Sequence, residues 1–247
     1  MEDKELLIKT EKKLYYREGN KFIKQFDESY SKASVFNEVL NHTRIEETGL
    51  NIPKIFEVST IDGRLAVKME YIEGETLESL INKYPEKRAE YLKKFIEIQM
   101  DIHSKRSPLL TKFKDKMTNS IMCSELGAST RYDMCIRLQS MPMHNHVCHG
   151  DYNPSNVIIT SSGVPYIIDW AHASQGNATA DAAKSYLILC VSEKRDLAEE
   201  YINMYCEITG TPTEYVNEWL PLIAAAQLVK VKPETKNKLM QWIDCNG

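Results

Sequence analysis

The apolar residues of this chain change their spacing once, and this change restricts the folds that the chain can adopt. The first seventy or so residues alternate like β-strands on either side of one helical segment, whereas the residues after "YIEGETL" repeat with a helical period. A strand-rich segment followed by a helix-rich segment is typical of an α+β architecture. We therefore predict two lobes, a small antiparallel sheet with one helix over 1–72 and a larger, mainly helical lobe over 73–247.

Two hairpins and one helix are predicted in the first lobe. "KLYYREGNKFIKQF" has two apolar runs around Gly19 and Asn20, and both residue types tolerate the positive φ of a tight turn. "IFEVSTIDGRLAVKMEYI" repeats this arrangement around Asp62 and Gly63. The helix between the hairpins is predicted to have an apolar face made of Val35, Phe36, Val39, Leu40 and Thr43.

The second lobe is predicted to be helical with one exception. Helical periods cover about 92–103, 130–141 and most of 181–242. The exception is the segment 157–168, where two short apolar runs flank a turn that contains Gly163. A short hairpin is therefore expected among the helices.

Three polar side chains flank this second-lobe hairpin. Asp151 and Asn156 lie before its first strand, and Asp169 directly follows its second strand, so we expect the hairpin to bring them together. Phosphoryl transfer needs such a set, because a carboxylate must orient the attacking hydroxyl and oxygen atoms must hold the Mg²⁺ that bridges the ATP phosphates. Asp151 is the candidate catalytic base or orienting group, and Asn156 and Asp169 are the candidate metal ligands.

Composition narrows the class of partner. The net charge of −4 gives no reason to expect a nucleic-acid interface, and no run of about 18 apolar residues could span a bilayer. The first residues, "MEDKELLIKTEKK", lack the apolar core of a signal peptide. We therefore expect a cytoplasmic monomer that acts on a small molecule, without nucleic-acid or membrane partners. All six cysteines are expected to be free thiols, since none forms a C-x-x-C pair.

Two motifs resemble those of a known family. "HGDYNPSN" followed by "IIDW" resembles the H-G-D-x-x-x-x-N and I-D-W motifs of the aminoglycoside phosphotransferase and choline kinase-like family. The resemblance implies a bilobal protein-kinase-like fold with ATP and Mg²⁺ bound between the lobes. It also implies transfer of the γ-phosphoryl group of ATP to a hydroxyl of an aminoglycoside-like, choline-like or other small metabolite.

The resemblance implies further site residues outside these motifs. "FIKQF" is similar to the strand that carries the family's ATP lysine, which assigns Lys24 to the α- and β-phosphates and Glu38 to its ion pair. "MEYIEGETL" resembles the connector that holds adenine, here through the carbonyl of Glu70 and the amide of Ile72. Asp181 matches an aspartate that helps to anchor the following helix.

The segment expected to cover the phosphates departs from the pattern of phosphate-binding loops. Residues 9–13, "KTEKK", contain no glycine, so close approach of the backbone to phosphate is not supported by the sequence. Lys12 and Lys13 are the candidates to replace those backbone contacts by charge.

Other interpretations remain open at this stage. Singly, Asp151, Asn156 and Asp169 could be turn formers. A protein kinase needs a longer segment after its metal aspartate than the chain has between Asp169 and the helix expected near Asp181. The alternative from another class of protein is a nucleotide-binding pseudokinase or scaffold. Loss of Lys24, or of one of the three polar residues that flank the hairpin, would have favoured this alternative.

Two further groups of residues have competing explanations. A zinc site could be built from His144, His146, Cys148 and His149, but surface or packing roles fit their spacing better. Acidic residues on the C-terminal helices would suit a cationic acceptor, although such residues are usually solvated; these are Asp133, Glu214, Glu218 and Asp244. The sequence leaves the acceptor open.

Overall fold

A computed structural model describes residues 4–229 and 231–244. The strands are β1 (Lys4–Lys9), β2 (Lys13–Glu18), β3 (Lys21–Phe26), β4 (Ile55–Ile61), β5 (Arg64–Glu70), β6 (Glu75–Thr76), β7 (His146–Cys148), β8 (Val157–Ile159), β9 (Pro165–Ile167) and β10 (Ser174–Gly176). The helices are α1 (Lys32–Glu46), α2 (Leu77–Lys83), α3 (Arg88–Ser104), α4 (Phe113–Met122), α5 (Ala128–Ser140), α6 (Ala178–Val191), α7 (Arg195–Thr209), α8 (Thr213–Gln227) and α9 (Pro233–Asp244).

The chain divides into two compact units. The first contains residues 1–83 together with 154–172, and the second contains 84–153 together with 173–247. The first therefore includes the 157–168 hairpin as well as the N-terminal sheet. The division into lobes at residues 72 and 73 stays a prediction. The α+β class is confirmed.

The first unit is built on a five-stranded antiparallel sheet with the order β1-β2-β3-β5-β4. Both predicted hairpins form, and β1 is a fifth strand that the sequence analysis did not predict. The β4–β5 turn has φ values of 50° at Asp62 and 79° at Gly63, which is the conformation that a tight two-residue hairpin requires. Phe26 and Val67 on this sheet bury their side chains against Val35 of α1.

Helix α1 forms where it was predicted, but its buried face differs from the prediction. Ser31 caps the helix by accepting a hydrogen bond from the Ser34 amide. Phe36 and Leu40 are 52% and 46% exposed. Val35 is buried as predicted and Val39 packs against the same core, but the other buried positions of α1 are Asn41, His42 and Ile45. The prediction was wrong for Phe36, Leu40 and Thr43 because polar residues occupy half of the buried face, so apolar spacing alone could not identify it.

The predicted 157–168 hairpin forms as strands β8 and β9, and β6 adds a third strand to make the order β6-β8-β9. Gly74 allows this pairing, because a Cβ atom at that position would lie 2.4 Å from the Ile159 carbonyl oxygen. The Ile167 amide donates to the Asn51 carbonyl oxygen at 3.0 Å, and this bond ties the hairpin to the chain before β4.

The second unit consists of helices α3 to α9 and the two-stranded antiparallel sheet of β7 and β10. The predicted helices over 92–103, 130–141 and 181–242 are present, whereas α4 was not predicted. Helix α6 is buried on several sides and begins after the N-cap Asn177. None of the helices in the described residues is both long enough and apolar enough to cross a lipid bilayer. Five cysteines are free thiols, and Cys245 lies outside the described residues.

Candidate active site

Lys24 on β3 is the centre of the polar cluster in the first unit. Its Nζ atom donates to Glu38 Oε1 at 2.5 Å and to Asp169 Oδ1 at 3.1 Å, and the lysine side chain is 5% exposed. Glu38 lies on α1, and Asp169 follows β9. The fold therefore brings together a lysine and two carboxylates that are up to 145 residues apart in sequence.

The surroundings of Lys24 keep its ammonium group positively charged. Burial acts to lower the pKa of this ammonium group, but the Asp169 and Glu38 carboxylates outweigh burial and raise the pKa above the ordinary lysine value. Lys24 is therefore a cation at every physiological pH. A buried, permanently charged lysine is a suitable donor for phosphate oxygens.

The two candidate metal ligands lie at the ends of the β8–β9 hairpin. Asn156 is buried in a short 3-10 turn directly before β8. Its main-chain carbonyl oxygen accepts a hydrogen bond from the Ile168 amide at 3.0 Å. Asp169 has a φ of 62°, in the left-handed region that non-glycine residues seldom occupy. Such an outlier supports a functional hypothesis, because a strained backbone persists where the fold requires one side-chain position.

Helix α1 also fixes the segment after Asp169. Asn41 lies three residues after Glu38 and is therefore on the same side of the helix. Its side-chain amide donates to the Ala171 carbonyl oxygen at 3.1 Å. His42 Nε2 lies 2.6 Å from the Pro53 carbonyl oxygen. This helix thus supplies the partner of Lys24 and also holds the segment that follows Asp169, the candidate metal ligand.

In the connector after β5, the Tyr71 amide already forms a hydrogen bond within the protein. The Tyr71 amide donates to the Asn20 carbonyl oxygen at 2.8 Å, and the Glu70 amide donates to the Lys54 carbonyl oxygen at 2.8 Å. Within the described ranges, the Ile72 amide forms no hydrogen bond. The adenine contacts of the Glu70 carbonyl and the Ile72 amide stay predictions.

The glycine-free segment 9–13 is a turn closed by a side chain. Thr10 Oγ1 accepts a hydrogen bond from the Lys13 amide at 3.0 Å, and the Thr10 amide donates to the Lys13 carbonyl oxygen at 2.9 Å. The Lys12 carbonyl oxygen accepts from the Asp27 amide at 2.9 Å. The threonine hydroxyl thus supports the turn without glycine. The expected phosphate contacts of Lys12 and Lys13 stay predictions.

Asp151 lies in the second unit, in a loop that is held from both ends. The Asp151 amide donates to His149 Nδ1 at 3.2 Å, and the Asn153 side-chain amide donates to the Asp151 carbonyl oxygen at 3.0 Å. Tyr152 is buried, stacks on Phe95 with ring centroids 4.2 Å apart, and donates its hydroxyl to the Phe95 carbonyl oxygen at 2.7 Å. The backbone that carries the candidate catalytic carboxylate is therefore fixed.

Asp181 holds the start of this loop. Its carboxylate is 1% exposed and accepts hydrogen bonds from the Gly150 amide at 2.8 Å, from the His149 amide at 3.0 Å and from His103 Nε2 at 3.1 Å. Gly150 has a φ of 77°, which directs its amide to the carboxylate at a conformation that favours glycine. Asp181, in the first turn of α6, therefore anchors the candidate catalytic loop.

The sequence analysis did not identify a role for His103. His103 is buried on α3, and its partner lies 78 residues away, so this pair could not be read from spacing. Burial acts to raise the pKa of Asp181, and the hydrogen bond and charge of His103, together with the loop amides, lower that pKa below its ordinary value.

We predict that Asp181→Asn destabilises the chain by about 1–3 kcal/mol, because it removes a buried carboxylate and leaves donors of His103 or of the loop amides without an acceptor. A depressed folded-state pKa adds stability above the unfolded pKa of aspartate, and this stability is lost as pH falls through the folded pKa. Urea unfolding near pH 7 and at acidic pH measures both effects, and the difference from the parent should shrink on acidification. Asp133→Asn, at an exposed position, is the control. Equal stability of both variants would contradict this role.

A large open cavity of about 910 Å³ also lies in the second unit, between α4, the end of α5 and β10. Its wall includes Lys112, Lys114, Asp115 and Trp219. The Trp219 indole N–H is buried and has no hydrogen-bond acceptor within the described residues. Lys114 donates to the Gln139 carbonyl oxygen at 3.0 Å and to that of Met141, so it closes the end of α5.

The segment that carries the Asp151 loop and the β8–β9 hairpin matches a known protein family. Residues 130–216 match the pattern of the group described as Phosphotransferase enzyme family. This segment includes Asp151, Asn156, Asp169 and Asp181. The resemblance to the aminoglycoside phosphotransferase and choline kinase-like family is confirmed.

Solved structures of phosphotransferases share the fold of this chain. A thermostable mutant of aminoglycoside phosphotransferase APH(4)-Ia, in a ternary complex with AMP-PNP and hygromycin B, matches with a TM-score of 0.71 and 13% identity over 99% of this chain and 94% of that chain. Choline kinase LicA from Streptococcus pneumoniae matches with a TM-score of 0.64 and 17% identity over 98% and 92%. The kinase-like fold is thereby confirmed.

A curated relative matches a shorter stretch. The KEOPS complex subunit Bud32 of Pyrococcus abyssi (strain GE5 / Orsay) is 35% identical over 80 residues. The match spans 32% of this chain and 33% of the length of that relative.

The candidate ligands suit Mg²⁺ that is bound together with a nucleotide. No group of three or more His, Cys, Asp and Glu residues that could hold a metal occurs in the described part of the chain. Mg²⁺ bound with a nucleotide does not need such a group, because one or two protein oxygens and the phosphates supply its ligands. One carboxylate, from Asp169, and one amide oxygen, from Asn156, form a donor set of this kind.

Proposed function

We propose that this chain is an ATP-dependent phosphotransferase that moves the γ-phosphoryl group to a hydroxyl of a small molecule. The observation that carries the proposal is the double hydrogen bond of buried Lys24 to Glu38 and Asp169. A surface lysine would not be held between two carboxylates. The same arrangement places a permanent cation beside a candidate Mg²⁺ ligand, which is what a nucleotide triphosphate requires.

Each residue has a distinct role in this reaction. Lys24 binds the α- and β-phosphates, and Glu38 positions Lys24. Asn156 and Asp169 hold Mg²⁺, which supplies neutralisation of the phosphate charge. Asp151 orients the acceptor hydroxyl and accepts its proton. The hydroxyl oxygen forms a bond to the γ-phosphorus, the bond from that phosphorus to the β–γ bridging oxygen breaks, and ADP leaves.

We predict that Lys24→Met raises the KM for ATP and lowers turnover by about 10-fold or more, because hydrogen bonds to charged groups contribute about 1.5–3 kcal/mol each. Steady-state kinetics with varied ATP measures the effect. Lys21→Met is the matched control, since Lys21 lies on the same strand at an odd spacing and therefore on the opposite face. Unchanged kinetics in Lys24→Met would contradict the phosphate role of this lysine.

A panel of ATP-consumption assays tests the proposed function as a whole. The panel contains aminoglycosides, choline, ethanolamine, sugars, sugar acids, sugar phosphates and nucleosides. At least one hydroxyl compound should stimulate magnesium-dependent ATP consumption and be recovered as a phosphate monoester. Nucleotide binding without turnover of any panel member would favour the alternative, a pseudokinase or scaffold. The presence of Lys24, Asp151, Asn156 and Asp169 argues for the enzyme.

A further inference from the structure

Two lysines lie beside the candidate catalytic loop in the second unit. Lys116 is on α4, where its Nζ atom reaches the Ala173 carbonyl oxygen, and Lys184 is on α6. Lys184 lies three residues after Asp181, whose carboxylate holds the loop directly before Asp151. Lys184 is therefore on the side of α6 that faces this loop, and it interacts electrostatically with Asp151.

The ammonium group of Lys184 is half-buried and its donors are unused. Burial lowers the pKa of Lys184, and the carboxylates of Asp151 and Asp181 act against this shift. No hydrogen bond or ion pair joins Lys184 to another residue in 4–229 or 231–244. Its attraction to Asp151 thus acts without a direct bond. An ammonium group has three N–H donors, and a half-buried one normally has acceptors for them. An acceptor oxygen on a ligand at this loop would supply them.

Lys116 increases the positive charge at the same place. Its Nζ atom donates to the Ala173 carbonyl oxygen at 3.1 Å, next to the strand that pairs with β7. Burial, followed by repulsion from Lys184, lowers the pKa of Lys116 to about 8. Two neighbouring cations in a desolvated setting destabilise each other. An anion bound between them would relieve this repulsion.

Positive charge also predominates in the wall of the large cavity. Lys112, one helical turn before Lys116, lines this cavity together with Lys114. Asp115 is the carboxylate in its wall within the described residues. Three acidic residues that had suggested a cationic acceptor are exposed and do not line this cavity; these are Asp133, Glu214 and Glu218. The side chain of Asp244 lies outside the described residues.

We propose that the acceptor carries an anionic group, a carboxylate or a phosphate monoester, which Lys184 and Lys116 bind while the acceptor hydroxyl meets Asp151. This inference rests on the proposed phosphotransferase function and deepens it by naming the charge class of the acceptor. Choline-like and aminoglycoside-like cations are disfavoured, because a cation would leave the donors of Lys184 without an acceptor.

Matched acceptor pairs test this inference. Each pair shares a hydroxylated scaffold and differs in charge: sugar acids and sugar monophosphates against the neutral parent sugars, and glycerate and glycerol 3-phosphate against glycerol. Choline and hygromycin B form the cationic arm. The compound with the highest kcat/KM should be anionic, and the two kinds of anion distinguish a carboxylate from a phosphate. Preference for a neutral or cationic acceptor would overturn the inference.

Variants of Lys184 give a second readout. Lys184→Gln should raise the KM for the anionic acceptor by about 10-fold or more while leaving the KM for ATP unchanged, because one charged hydrogen-bond donor is lost. Lys184→Arg keeps the charge and should restore most of the acceptor affinity. Lys93→Gln removes an exposed lysine on α3 and should change neither constant. An acceptor KM that is equal in Lys184→Gln and the parent would contradict the assignment.

A binding measurement separates failure of this inference from failure of the proposed function. The protein is saturated with AMP-PNP and Mg²⁺ and titrated calorimetrically with the same carboxylates and phosphate monoesters. At least one should bind, and Lys184→Gln should weaken that binding about 10-fold. Anion binding without turnover would contradict the phosphotransferase function alone. Absent binding, or binding that Lys184→Gln does not change, would overturn the anionic-acceptor inference.

Discussion

Asp151→Asn should lower phosphoryl transfer by about 10²–10⁴-fold, because orientation of the hydroxyl and acceptance of its proton by one group contribute on this scale. The affinity for ATP should stay within a few-fold of the parent, since this residue is assigned to the acceptor and not to the nucleotide. Single-turnover transfer, paired with nucleotide titration, measures the two effects separately.

The Asp151→Asn variant should keep the fold of the loop. The loop is fixed through the backbone amides of His149 and Gly150 and through buried Tyr152, so an asparagine at position 151 leaves these bonds in place. Asp133→Asn is again the control for loss of one negative charge. Near-parental turnover in folded Asp151→Asn would show that the catalytic assignment is mistaken.

Asp169→Asn should weaken magnesium-dependent nucleotide binding and abolish measurable transfer. Loss of residues that only support a metal ligand costs about 10–100-fold, so loss of the ligand charge itself should reach about 100-fold or more. Asparagine is the better substitution here, because it tolerates the left-handed backbone at φ 62° more readily than alanine does. Asn156→Ala should act in the same direction but more mildly.

The two aspartates are distinguished by their effects on nucleotide binding. Asp169→Asn should reduce AMP-PNP affinity in Mg²⁺ but have little effect in EDTA, whereas Asp151→Asn should leave both affinities nearly unchanged. Lys24 also loses one of its two carboxylate partners in Asp169→Asn. A magnesium-dependent affinity that is equal in Asp169→Asn and the parent would remove Asp169 from the metal site.

The parts of the fold that the sequence predicted are those specified by local chemistry. The turns at Gly19 and at Asp62–Gly63 need positive φ, so the residues themselves mark both hairpins. The motif around Asp151 and the following hairpin were likewise readable, because their residues are close in sequence. Strand β1 was missed, since most of its residues are exposed and its apolar pattern is weak.

The parts that the sequence did not predict depend on distant partners. The buried face of α1 is selected by Asn41 and His42, which bond to residues after Asp169 and before β4. The bond from His103 to Asp181 joins two helices, and electrostatic attraction joins Lys184 on α6 to Asp151 in the loop. Hydrophobic spacing contains no information about such pairs, so only the folded chain shows them.

Nucleotide-dependent stabilisation is the most direct test of the magnesium–ATP site. The folded protein is titrated with AMP-PNP in Mg²⁺ and, separately, in EDTA, and its unfolding is followed thermally. We predict saturable stabilisation in Mg²⁺, of about 2.7 kcal/mol at 100 times the dissociation constant, and a much smaller effect in EDTA. No stabilisation by millimolar AMP-PNP with Mg²⁺, in a protein that unfolds cooperatively, would contradict the presence of a magnesium–ATP site.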